Sequence, residues 1–413
     1  MSFKEGLQDT ILGTIPKDWE AVEFSSVAEL KHGFQFRTHD FTDDGVKVFK
    51  ITQINKNGSV DISACDFIDA DRLKDFEKYI LHKGDILMAL TGATIGKIAR
   101  YYENEICLQN YRVGNFFSQD NDVLSKDYLY HFLTSKYFFN QILARQTQSA
   151  QQNIGKDEIN KMVLFLPPLS IQNKIATILT SLEDKIELNR QMNQTLEETA
   201  QTLFQEMCLP KNDQVPDGWE WKTVSELGIV MTGNTPASKN PEEFGDKYPF
   251  VTPSDFKNYF KLILSSNRYI SEEGFIKHQK RFIPENSVLV TCIGSDMGKV
   301  AITKTTCLTN QQINSFIPSN SRITTEFMYF YFKNIYDLLK NMATGGSTMP
   351  IINKSDFERI NILVPERKII LDFTKQSKKI DKKIEENLQE ISILKLLRDN
   401  LLPKLLNGEV SVC

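Results

Sequence analysis

The chain has 413 residues, 41% of them hydrophobic and 25% charged, which is enough apolar content for two ordinary cores. A formal net charge of −4 excludes indiscriminate phosphate binding, yet leaves room for a nucleic-acid reader that shares its affinity with a partner. No apolar run approaches the roughly 18 residues of a membrane span, and MSFKEGLQDT carries no signal-like regions, so neither a span nor a secretory signal is expected.

In chain order, residues 1–165 form a first globular stretch. Short β-rich runs (DILMALT, VGNFFS, MVLFLP) lie between Gly- and Asn-bearing turns, and a helical pattern occupies 126–143. Residues 166–213 follow as a long helix. Ile171, Ile175, Ile178, Leu182, Met192, Leu196 and Leu203 recur at helical spacing, and no Pro or Gly interrupts 169–209. Such a helix is roughly 55–60 Å long. A second globular stretch, 214–365, carries SVLVTCI, INSFIP and INILVP with a helical pattern at 325–339. A second long helix, 366–402, carries Phe373, Ile380, Ile384, Ile391, Leu394, Leu397 and Leu401; Pro403 is expected to end it before LLNGEV.

The chain is therefore one unit used twice. IPKDWEAVEFSSVAELKHG matches VPDGWEWKTVSELGIVMTG, placing Pro16, Trp19, Glu20, Ser25 and Gly33 opposite Pro216, Trp219, Glu220, Ser225 and Gly233. GDILMALTGATIGKIA matches NSVLVTCIGSDMGKVA, CLQNYRVGNF matches CLTNQQINSF, and SAQQNIGKDEINKMVLFLPP matches STMPIINKSDFERINILVPE. LEDKIELN then matches IDKKIEEN, and all five matches fall in order at offsets of 198 to 202. Trp19 and Trp219 read as core anchors.

Neither long helix can leave its apolar stripe in water, so the two are expected to pair as an antiparallel coiled coil. Their net charges of −3 and +2 favour pairing weakly. The seam is expected at Leu182, Asn189, Met192, Leu196, Leu203, Ile380, Asn387, Ile391, Leu394 and Leu401. Asn189 and Asn387 are repeat-equivalent; a buried pair there would fix register, and an edge position facing solvent is the other reading. With antiparallel helices the two globular units would stand at opposite ends about a pseudo-two-fold axis.

Several motifs imitate chemistry. GATIGK and GSDMGK fall one residue short of a phosphate loop and lack its Ser or Thr, so they read as strand-to-strand turns, in which Thr94, Lys97 and Lys299 could still touch a DNA phosphate. PDGWEWK resembles a nuclease site but has no counterpart in the first copy, and LPPL lacks the amide and aromatic of an amino-methyltransferase tetrad. The six cysteines show no CxxC spacing and the five histidines no ligand pattern. Buried thiols in a reducing cytoplasm are expected, with no metal and no catalysis by this chain alone.

What remains is amide-rich loop surface. In the first unit it comprises Lys31, His32, Arg37, Thr38, Gln53, Asn55, Asn110, Arg112, Gln148, Gln151 and Gln152. In the second it comprises Thr232, Asn234, Thr235, Lys239, Asn240, Ser254, Asn258, Asn310, Gln311, Gln312, Ser347 and Thr348. Asn and Gln pair bidentately with adenine edges and Arg with guanine, so these loops suit base readout. Any one of them alone reads as an ordinary solvated residue. As a set they differ between two copies that keep their frame residues, as two readers of different sequences would.

The twin Pro-x-x-Trp openings, LPPLSIQNKIATIL, NRQMNQTLEETAQTLFQ and the terminal LLPKLLNGEV together resemble the specificity subunits of type I restriction-modification systems, over essentially the full length. VPERKIILDF departs from the pattern, lacking the second proline and the glutamine of the first copy. The resemblance implies an α+β fold with two target-recognition domains, 1–165 and 214–365, separated by spacer helices 166–213 and 366–413. It implies a bipartite, asymmetric site in double-stranded DNA, with one half-site per domain. Two modification subunits carrying S-adenosylmethionine would dock on the helices and methylate adenine, and restriction subunits would add ATP- and Mg2+-dependent translocation and cleavage. The other class that composition leaves open is a tandem-repeat protein-binding scaffold with no DNA role.

Overall fold

The computed structural model describes residues 7–55, 58–146, 153–212, 214–257, 261–294, 297–342 and 351–412. Two compact units emerge: residues 1–186 with 392–413, and residues 187–391.

The first unit is built on an antiparallel sheet in the spatial order Ala28–His32, Val113–Ser118, Asp85–Ala89, Ile98–Tyr101. Strand Asp85–Ala89 is buried throughout. Its period of two sends Ile86 and Met88 into one core, with Phe116, Leu129 and Phe132, and Leu87 and Ala89 into another, with Phe49, Ala99 and Val113. That is why DILMALT reads as continuously apolar rather than alternating. The second unit repeats the arrangement with Gly228–Thr232, Ile313–Pro318, Val288–Thr291 and Val300–Thr303, and adds Leu262–Ile263 in parallel at the edge. Val288 and Val290 face one core there and Leu289 the other.

Each expected helix beside these sheets is two helices. The first breaks between Lys126–Leu133 and Lys136–Gln146, where Thr134 and Ser135 turn their hydroxyls back to the carbonyls of His131 and Phe132 at 3.0 and 2.6 Å. The second breaks at Ile335, between Thr325–Asn334 and Tyr336–Met342.

The long helices Leu169–Cys208 and Arg367–Leu406 have 40 residues each, so about 60 Å. They run antiparallel within each unit. In the second, Asn189 Nδ2 donates to Glu390 Oε2 and Asn387 Nδ2 to Asn193 Oδ1, both at 2.8 Å, so residue numbers rise on one helix as they fall on the other. In the first, Ile175 and Leu179 share a core with Leu405 and Leu406, and Glu183 faces Arg398 at 4.0 Å. The most buried stripe of the central helix is Gln172, Ile175, Leu179, Ile186, Asn189, Asn193, Ala200 and Phe204. Leu182, Met192, Leu196 and Leu203 flank it half-buried, as do Ile380, Leu394 and Leu401 on the distal helix, where Ile384, Asn387 and Ile391 are buried. Ile178 and Leu397 are exposed. Asn189, Asn387 and Ile391 are buried as expected, whereas the other expected positions were placed by apolar spacing and lie beside a stripe that also contains Gln172 and Asn193. Asn189 and Asn387 are both buried but do not pair with each other.

Pro403 does not end the distal helix; it lies inside the last turn. Leu405 and Leu406 beyond it are buried, which offsets the lost backbone hydrogen bond. The following turn lies over the first opening: a methyl at Gly408 would stand 2.4 Å from Pro16 Cγ and 3.4 Å from Trp19 Cζ2. Trp19 is accordingly buried. Trp219 is only half-buried, on a cleft it lines with Leu209, Pro210 and Lys211 of the segment after the central helix; it is not a core anchor.

The departure at VPERKIILDF has a local reason. Gln172 is fully buried, accepting from Ser125 N at 2.9 Å and donating to the carbonyls of Val123 and Pro167 at 2.9 and 2.8 Å. Its counterpart is the buried Ile370, and in that unit the helix is met by Thr324 and Thr374, whose hydroxyls lie 2.7 Å apart. Gln172 therefore joins a domain to its helix. Among the described residues no helix is long and apolar enough to cross a membrane.

Candidate nucleic-acid interface

In each unit, loops from distant parts of the chain converge at one end of the sheet, held by the same backbone hydrogen bonds. Phe34 N donates to Gln109 O at 2.9 Å, and Asn234 N to Thr309 O at 2.8 Å. Asn110 N donates to Phe49 O at 3.0 Å, and Asn310 N to Val251 O at 3.1 Å. Leu90 N reaches Arg112 O at 3.0 Å, and Cys292 N reaches Gln312 O at 2.8 Å. Ile154 N then donates to Leu90 O at 3.0 Å, and Ile352 N to Cys292 O at 2.9 Å. Backbone groups inside a fold must be paired, and here two divergent sequences pair them identically. Gly33 and Gly233 are required at the centre, since a Cβ would lie 2.1 Å from Gln109 O in one unit and 2.1 Å from Asn310 O in the other.

On this frame the candidate side chains divide into supports and exposed groups. Gln53 is 4% exposed; its amide donates to Ala64 O at 3.0 Å and accepts from Lys50 N at 2.8 Å. Asn110 is buried and accepts from Arg112 N at 3.2 Å, as the half-buried Asn310 accepts from Gln312 N at 3.2 Å. Both asparagines shape the turn that presents the next two residues. Gln53 and Asn110 are thus buried within their loops, where their side-chain amides hold backbone groups.

Exposed in the first unit are Lys31, His32, Arg37, Thr38, Asn55 and Arg112. Lys31 lies 4.6 Å above the Phe117 ring, and Asn55 donates to Ser59 Oγ at 2.9 Å. His32 Nδ1 lies 3.2 Å from Tyr111 O, and Arg112 Nε donates to Tyr111 Oη at 2.7 Å. Tyr111 is a member of the cluster that sequence reasoning passed over, although it stands between Asn110 and Arg112 in a matched segment.

In the second unit Thr235, Lys239, Ser254 and Gln311 are exposed, and Thr232, Asn234, Asn240 and Gln312 half-buried. Thr235 Oγ1 donates to Gln311 Oε1 at 2.5 Å and Thr232 Oγ1 to Asn314 Oδ1 at 2.7 Å. Asn240 Nδ2 donates to Glu243 Oε1 at 2.5 Å, and His278 Nε2 lies 2.7 Å from Glu243 Oε2. Lys277, His278 and Asn240 hold the Glu243 carboxyl down at about 2. His278 also reaches Asn234, its Nδ1 standing 3.4 Å from the amide nitrogen. The helix Glu272–His278 that brings it stands where the first unit has the 3-10 helix Ala70–Tyr79, outside the five matched stretches of sequence.

Thr94 and Lys97 belong to a strand-to-strand turn as expected, with Gly92 and Gly96 at φ 70° and 77°. Lys97 lines a cleft of about 400 Å³ with Tyr130, Thr134, Phe139 and Arg398, and Lys299 a repeat-equivalent one with Tyr329, Lys333, Tyr336 and Glu197. Gln148, Gln151, Gln152, Asn258, Ser347 and Thr348 lie outside the described residues. Cys65, Cys107, Cys208, Cys292 and Cys307 are buried free thiols, and burial pushes Cys208, Cys292 and Cys307 up to about 12. Among the described residues no three His, Cys, Asp or Glu side chains are grouped to hold a metal ion.

The family model for the type I restriction modification DNA specificity domain matches twice, over residues 16–198 and 216–392. The chain belongs to this family. Each match takes in one loop cluster and most of one long helix. A specificity subunit of the type I restriction enzyme HindI from Haemophilus influenzae is 30% identical, covering 84% of this chain and 91% of that one. The MjaIX specificity subunit from Methanocaldococcus jannaschii is 25% identical over 98% of this chain and 96% of its own. In fold, the chain is similar to the crystal structure of a type I restriction-modification S subunit from M. genitalium, with a TM-score of 0.55 and 15% identity over 100% and 99% of the two chains. Within the specificity family, then, this chain has the expected α+β repeat units, with a 40-residue helix that begins inside the first matched segment and ends before the second.

Proposed function

We propose that the chain is the DNA-specificity subunit of a type I restriction-modification complex, in which each loop cluster reads one half of a bipartite, asymmetric site in double-stranded DNA. The observation that carries this is the duplicated hydrogen-bond frame with unlike side chains mounted on it. A constant frame with variable Arg, Asn, Gln and Lys at the same places is what two independent base readers require.

The chain supplies sequence choice and no bond-making step. Two modification subunits dock on the paired helices, bring S-adenosylmethionine and methylate adenine; restriction subunits add ATP- and Mg2+-dependent translocation and cleavage in the cytoplasm. Those subunits also supply phosphate neutralisation, which is why a reader can carry a net charge of −4. The helices act as a spacer, since half-sites read from one face of B-DNA lie about one turn, ~34–36 Å, apart.

Methylome sequencing with and without the intact gene tests the reading, with loss of one bipartite adenine motif as the expected result. Exchange of residues 1–165 for another subunit's first domain should change one half-site and leave the other. A methylome that is unchanged by the deletion, or both half-sites changing on exchange, would defeat it.

A further inference from the structure

In the second unit a lysine with no solvent exposure ties the recognition sheet to the distal helix. Lys261, just ahead of the edge strand Leu262–Ile263, donates through Nζ to both carboxylate oxygens of Asp381 at 2.7 and 2.8 Å and to Ser377 Oγ at 3.0 Å. Lys261 and Ser377 are 0% exposed and Asp381 6%. The ammonium also stands 4.5 Å from the Phe330 ring centroid and 5.1 Å from that of Tyr329. Lys261 O accepts from Ile302 N at 2.8 Å, which anchors its backbone to the neighbouring strand. Beside this pair, Tyr329 Oη donates to Glu197 Oε1 at 2.5 Å and Lys333 pairs with the same carboxylate. The globular part of the second unit is thus fastened to both long helices, by Lys261 at the sheet edge and by Tyr329 and Lys333 of the helix Thr325–Asn334.

A buried ion pair is a poor source of cohesion, because desolvation consumes most of the attraction. Burial pushes Lys261 below its ordinary range and Asp381 above its own, in each case against the pull of the partner. What such a pair supplies is a single permitted geometry. The first unit solves the same junction differently. Arg100 lies 4.1 Å over Tyr130, the counterpart of Tyr329, and pairs at 2.8 Å with Asp127, while Glu183, the counterpart of Asp381, faces Arg398.

We propose that Lys261, Asp381 and Ser377 are positioning residues that fix the angle of the second recognition unit on its helix, and so hold the gap between half-sites to one base-pair count. This rests on the two-half-site reading above. One base pair displaces a half-site by ~3.4 Å and rotates it by about a tenth of a turn, so a joint free to rock by a few ångströms loses the count.

The test uses the full chain assembled with its modification subunits. After the wild-type motif is read from the methylome, methylation rates are measured on duplexes carrying both half-sites with the native gap and with gaps one base pair shorter or longer. Lys261→Met and Asp381→Asn should lower the preference for the native gap by about tenfold or more while the bases required in the second half-site stay the same. Ser377→Ala should lower it less. Should Lys261→Met fail to fold, Asp381→Asn, which keeps an acceptor, carries the test. Folded variants with an unchanged gap preference would overturn the proposal and leave the reading intact. A wild-type complex that methylates no bipartite site would overturn both.

Discussion

Asn387 Nδ2 donates to Asn193 Oδ1 at 2.8 Å inside the helix seam, one turn away from the residue that the repeat makes its counterpart, Asn189. Asn189 instead meets Glu390. The seam is therefore crossed by a polar layer whose members pair out of step with the repeat. Asn387→Leu should leave Asn193 buried without its partner and cost ~1–3 kcal/mol. The double substitution with Asn193→Leu should recover most of that, giving a favourable coupling in a double-mutant cycle by chemical denaturation. Additive losses would mean that the hydrogen bond does not operate in solution.

Gly33 and Gly233 allow the two loop clusters to be tested separately. Gly33→Ala should disrupt the first loop cluster and remove discrimination at one half-site, whereas Gly233→Ala should remove it at the other. Methylation of duplexes degenerate in one half at a time reads this directly. Loss at both halves from either substitution would show that the clusters are not independent.

Arg112 is exposed and Gln53 is not. Arg112→Gln, which installs the residue of the second copy, should shift base preference at one position of one half-site by ~1–3 kcal/mol, about 5- to 150-fold. Gln53→Ala should weaken the whole half-site uniformly and lower the melting temperature, because it removes a loop support. The contrast is measured by methylation rates on single-base variants of the site.

His131 makes stability depend on pH. Burial first, then the nearby Arg100 and Arg398, hold its imidazole down to about 3, and its Nε2 lies 2.9 Å from Thr180 Oγ1. In the unfolded chain the group titrates near ~6.5. Above that pH neither state binds the proton; below it only the unfolded state does, so stability falls with acidification between ~6.5 and about 3 at up to ~1.4 kcal/mol per pH unit. The repeat counterpart is the buried Phe330. His131→Phe should flatten the decline by about 2 kcal/mol between pH 6.5 and 4.5, measured by denaturant melts at each pH; parallel curves would contradict it.

The duplication, the mixed units, the two long helices and their antiparallel pairing were legible because each rests on apolar period or on matched segments. Most of the seam register was not, because Gln172 and Asn193 are polar residues in buried positions and a count of apolar residues passes over them. Trp19 and Trp219 look alike in sequence and differ in burial: the turn at Gly408 closes over Trp19, whereas Trp219 borders an open cleft with Leu209 and Pro210. Within the loop clusters, composition could nominate amides but could not tell Gln53, consumed by its own backbone, from Arg112, which is presented by it.

The strand Asp85–Ala89 has no neutral side, since alternate residues serve different cores. Deleting or inserting a single residue there would exchange the two sets and spoil both at once. Changes of chain length that survive selection must then gather in the connections between strands. Those connections carry Arg37, Asn55 and Lys239, so the architecture channels surviving length variation into the segments proposed to face DNA.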